Sequence, residues 1–87
     1  MPILSRFKGI TVRMFFNDTQ QHYKPHVHVE YSGNKAVIGL DGELLEGALP
    51  RRQYNLILGW LALHEEEIYK AWYQAIKNEQ FDKIDPL

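Results

Sequence analysis

The chain has no cysteine, which excludes a disulfide framework and any thiolate-based metal site. It also lacks long apolar runs. Nothing approaches the ~20 consecutive apolar residues of a membrane-crossing helix, and the opening "MPILSRFKGI" has no continuous apolar stretch of the signal-peptide kind. The expected location is a reducing cytoplasm. No sign of charge dominates: ten Lys and Arg stand against eleven Asp and Glu, for a formal net charge of -1. Net charge therefore gives no support for binding RNA or DNA, or an anionic membrane.

What is present is the composition of a globular protein, 45% hydrophobic and 24% charged. A chain of 87 residues makes one domain, 1–87, and leaves no room for a second. A domain this small buries a limited share of its surface, so association with a partner or as a homo-oligomer is a natural expectation.

Hydrophobic periodicity divides the chain into a β-meander half, residues 1–47, a helical half, 50–78, and a tail, 79–87. In "GITVRMFFND", Ile10, Val12, Met14 and Phe16 alternate with Thr11, Arg13 and Phe15, the period of a half-buried strand. "HVHVEYSG" alternates too, with Gly33-Asn34 as its turn, and "KAVIGL" places Ala36, Ile38 and Leu40 on one side. Asp41-Gly42 is a two-residue hairpin signal leading into "ELLEG". After Pro50, a favoured first helical residue, Leu56, Trp60 and Leu63 recur at helical spacing, and Ile68, Trp72, Ala75 and Ile76 extend the stripe. Between these runs lies "HEEE". Carboxylates favour the first turn of a helix, at the positive end of its dipole, so the spacing predicts a break near His64; one long helix is the alternative. The expected fold is α+β: a small antiparallel sheet of three or four strands, about 8–47, followed by two consecutive helices, about 50–63 and 64–78, packed on it. Phe81, Ile84 and Leu87 are candidates to tether the tail.

Functional interest concentrates in "HYKPHVHVE", which holds three of the four histidines. On an extended strand His26, His28 and Glu30 project from one face and Val27, Val29 and Tyr31 from the other, with neighbouring rings roughly 6–7 Å apart. The valines mark the core side, leaving the histidines on a more polar surface. Three chemistries suit such a cluster. His26 and His28 could act as acid and base on a phosphoester without any cofactor, with Arg13, Arg51 or Arg52 holding the phosphate. His22, His26, His28 and Glu30 have the ligand types for a divalent metal such as zinc. The face could instead be a recognition surface for a protein partner. Trp60 and Trp72 belong to apolar stripes and read as core. His64 reads as a cap or packing residue at the helix junction.

In order from Ser5 to Leu87, "SRFKGITVRMFFND", "H-x-x-P-H-V-H-V", "KAVIGLDGELLEG", "LPRRQ", "W-x-x-x-H-x-x-E" and "KIDPL" resemble the bacterial family of short proteins called domain of unknown function 4160. Members often carry two prolines before the second histidine, where this chain has Lys24-Pro25. The resemblance implies a gene paired with that of another short protein in a toxin–antitoxin module. It makes this chain the toxin-side component, held by a small cognate, antitoxin-like partner. It assigns no catalytic residue. It marks His22, His26 and His28, Arg51 and Arg52, and Trp60 and His64 as the positions matching the family's motifs.

Overall fold

The computed structural model describes residues 3–15 and 24–87. Five strands, β1 (Ile3–Phe7), β2 (Ile10–Arg13), β3 (His26–Tyr31), β4 (Asn34–Gly39) and β5 (Leu44–Gly47), precede two helices, α1 (Arg51–Leu63) and α2 (Glu65–Ile76). The strands form one antiparallel meander in the order β1-β2-β3-β4-β5. The expected α+β order holds, but the sheet has five strands rather than three or four.

The additional strand is β1. A register shift between Ile3 and Ser5 leaves the consecutive residues Leu4 and Ser5 both buried, which erases the alternation that marks a strand in sequence. β1 turns into β2 through Lys8 and Gly9, both at positive φ, and β3 into β4 through Ser32 and Gly33 in the same conformation. These are primed hairpin turns, whose twist matches that of the strands they join. The second one therefore centres a residue earlier than Gly33-Asn34.

Val12, Val27, Val29, Ala36, Ile38 and Leu40 form the buried side of the sheet. Against them pack Ile57, Trp60 and Leu61 of α1 and Ile68, Ala71, Trp72 and Ala75 of α2. Phe16, the next expected member of the β2 stripe, lies outside the described residues. The helical half divides at His64, whose φ of -113° and ψ of 27° leave the helical region. Its N–H closes α1 on the Trp60 carbonyl at 3.1 Å, and its carbonyl opens α2 by accepting from the Ile68 N–H at 3.0 Å. Glu65, Glu66 and Glu67 fill the first turn of α2, where the helix dipole favours them.

The tail is tied down through Ile84, which is 6% exposed and donates its N–H to the Leu4 carbonyl at 2.8 Å. Trp60 Nε1 donates to the Asp85 carbonyl at 2.9 Å, so the tryptophan ties core, α1 and tail together. Phe81 packs at the core margin. Leu87 is 42% exposed and does not act as a tether. Among the described residues no helix is long and apolar enough to cross a membrane.

Candidate functional site

With both helices on one side, the sheet's other face is built from the alternate residues of each strand. Register places Arg13 opposite His28, His28 opposite Val37 and Val37 opposite Glu46, a row across four strands. Thr11, Glu30 and Lys35 form the next row. Arg13 and Glu30 are diagonal neighbours in this lattice, and Arg13 Nε donates to Glu30 Oε1 at 3.1 Å. Both side chains are partly exposed. Such a pair adds little stability, but it neutralises the cation expected to hold phosphate.

His26 and His28 meet, with ring centroids 5.3 Å apart and planes at 67°. Their surroundings differ sharply. His28 is half-buried and stands edge-on to Phe15, centroids 4.4 Å apart. His26 is 1% exposed, its ring 5.0 Å from that of Trp72 on α2. Alternation places His26 on the more polar surface, and the structure corrects this: the ring is interior. β2 pairs with β3 only as far as Arg13 opposite His28, so the start of β3 projects beyond its neighbour and Trp72 closes over it. His26 Nδ1 lies 2.8 Å from the Lys24 carbonyl. A carbonyl only accepts, so Nδ1 carries a proton and donates.

A groove of about 260 Å³ runs over this face, floored by Phe15, His28 and Val37 and rimmed by Glu30, Lys35 and Glu46. Val37 is only 7% exposed although it points away from the helices. A hollow of about 370 Å³ at the helix junction is roomier, lined by His64 and the three glutamates. It gathers less varied chemistry: the carboxylates occupy the first turn of α2, and His64 Nδ1 is committed to Glu67 Oε1 at 3.0 Å.

Arg51 and Arg52 are exposed in the first turn of α1, in the helical layer, and are not part of the face that carries Arg13 and His28. His22 lies outside the described residues. Among the described residues no three His, Asp or Glu side chains are grouped so as to hold a metal ion.

Sequence reasoning did not place Lys24. Its ammonium bridges Asp41 Oδ2 at 2.7 Å and Glu43 Oε1 at 2.6 Å, pinning the segment before His26 to the β4–β5 turn. These bonds raise the Lys24 pKa above its ordinary value. The Lys24 hydrogen bond, seconded by the Glu43 N–H, lowers that of Asp41. The readable signal was the acidic Asp41-Gly42-Glu43 turn, which needs a cation nearby. Tyr54 strengthens the same turn from α1 by donating its hydroxyl to the Gly42 carbonyl.

The motif residues Trp60, His64 and Glu67 form one structural unit: the indole packs 6.1 Å from the imidazole, and the imidazole bonds the carboxylate. No curated protein and no solved structure matches the chain. The family model described as Domain of unknown function (DUF4160) matches residues 9–73, a span that includes the meander from β2 onward, the histidine face and most of both helices. The chain belongs to the DUF4160 family.

Proposed function

We propose that this chain is a small partner-binding protein, the toxin-side component of a bacterial two-protein toxin–antitoxin-like module, and that its cognate protein docks on the sheet face opposite the helices. The observation that carries the reading is the groove floored by Phe15, His28 and Val37. An apolar floor inside a rim of mixed charge is the anatomy of a protein interface, where the centre supplies desolvation and the rim selects the partner. The alternatives have less support. Paired acid–base catalysis needs both imidazoles at one reacting atom, and His26 is enclosed by Trp72 while Arg13 is engaged with Glu30. A metal would have to draw on His22.

Co-expression with the neighbouring gene's short product tests the proposal. Copurification is expected, with relief of any growth defect caused by this chain alone. His28→Asp should abolish copurification while leaving the far-ultraviolet circular dichroism unchanged. Unaffected growth in every combination, together with no complex, would end the module reading. RNA cleavage by the purified chain that is lost in both His26→Ala and His28→Ala would favour the catalytic alternative.

A further inference from the structure

The two edges of the sheet are finished differently. Along β1 the tail crosses the outer side, with the Ile84 N–H on the Leu4 carbonyl, a device that stops a sheet from recruiting more strands. β5 forms the opposite edge, and no described strand pairs with its outer side. Leu44 in this edge strand is 44% exposed.

The ends of β5 carry opposite charge. The turn entering it holds Asp41 and Glu43, which share the single ammonium of Lys24, leaving one negative charge in excess. The segment leaving it reaches Arg51 and Arg52, both exposed at the start of α1. The first turn of α1 contains no acidic residue, and a helix start is itself electropositive. The two guanidiniums therefore sit in an unfavourable local field, which a carboxylate from outside would relieve.

We infer that the chain forms a two-fold dimer by antiparallel pairing of β5 with β5 of a second copy, joining two sheets into one of ten strands. Antiparallel pairing sets the start of each strand against the end of the other. It brings Asp41 and Glu43 of one copy to Arg51 and Arg52 of its partner, and the symmetry makes that contact twice. The register that makes this contact places the two-fold axis at Glu46 and Gly47, with Leu44 of each copy flanking it. Parallel pairing would set acid against acid and arginine against arginine. The contact is small, because β5 has four residues, so the dimer is in concentration-dependent equilibrium with monomer. This edge is distinct from the helix-free face proposed to bind the cognate protein, and either assignment can fail without the other.

Sedimentation equilibrium of the full chain over a concentration series is the test. Wild-type protein should reach twice the chain mass by about 1 mM, the upper end of weak association. Arg51→Glu with Arg52→Glu should weaken dimerisation by roughly tenfold or more, because each dimer contains the contact twice. Asp41→Lys with Glu43→Lys should do the same. An equimolar mixture of those two double variants should recover a dimer, since one chain offers only carboxylates at the contact and the other only cations. Leu44→Lys, an exposed position where folding is not at stake, should also give monomer. A wild-type chain that stays monomeric overturns the inference. So does a dimer that survives both double variants, because it must use another surface.

Discussion

Replacing Gly47 by alanine isolates the step that holds the last strand to the sheet. Gly47 has φ +80° and pairs with Ala36 at the end of the β4–β5 ladder. A Cβ there would fall inside the van der Waals shell of the Lys35 carbonyl oxygen, 2.9 Å from Ala36 Cα and 3.0 Å from the Lys35 carbonyl carbon. These are backbone atoms, which no change of rotamer can move aside. The same Lys35 oxygen accepts the Ala48 N–H at 3.1 Å, so relieving the clash breaks that bond and the pairing beside it. The left-handed conformation alone costs an L-residue ~1–2 kcal/mol, and lost backbone hydrogen bonds add ~1 kcal/mol each. The expected total is about 3 kcal/mol for Gly47→Ala. Gly33 supplies the control, because its φ is +85° but nothing lies within 4 Å of an added Cβ. Gly33→Ala should lose only the conformational part, about 1 kcal/mol. Urea unfolding measures both, and for a domain of this size each kcal/mol corresponds to roughly 4–8 °C in melting temperature. Amide exchange should show β4 and β5 opening in Gly47→Ala while β2 stays protected. Equal losses for the two variants would refute the steric argument and leave the backbone conformation as the whole effect.

Three further outcomes follow from the same contacts. Trp60→Phe removes the hydrogen bond to Asp85 and part of a fully buried ring; it should cost about 2 kcal/mol and expose the Ile84 amide to exchange, whereas unchanged protection of that amide would show that the tail is held some other way. Ser5 Oγ is buried with no hydrogen-bond partner among the described residues, so Ser5→Ala should stabilise by ~1 kcal/mol, and a comparable loss in thermal unfolding would reveal a partner for the hydroxyl. Lys24→Met should lower the melting temperature at neutral pH by an amount that depends on pH. The Asp41 pKa is depressed in the fold, so its contribution is present above its unfolded value near 3.8 and disappears as pH falls through the lower folded value. The Lys24 pKa is raised, so the ammonium's contribution is present below about 10.5 and is lost as pH rises through the higher folded value. A deficit that stays constant down to strongly acidic pH would assign the effect to the lysine stem, which lies against Gly39.

Local patterning alone determined much of this protein. Alternation in "ITVR", "HVHVEY" and "KAVIG" marked β2, β3 and β4, because a strand with one buried face must repeat every two residues. Helical spacing and the glutamate run placed α1, α2 and the break at His64, because those signals act within a single turn. The composition of "HYKPHVHVE" gathered three of the four histidines in one segment. Tertiary structure decided the rest. β1 was hidden because its bulge buries adjacent residues, and a bulge exists only against a partner strand. His26 moved from surface to interior because β2 ends opposite His28 and Trp72, 46 positions along the chain, covers the gap. Arg13 found Glu30, and Lys24 found Asp41 and Glu43, across strands that the sequence could align only after the register was known. Burial and ion pairing depend on which distant residues arrive at a position, and the period of a strand carries no information about them.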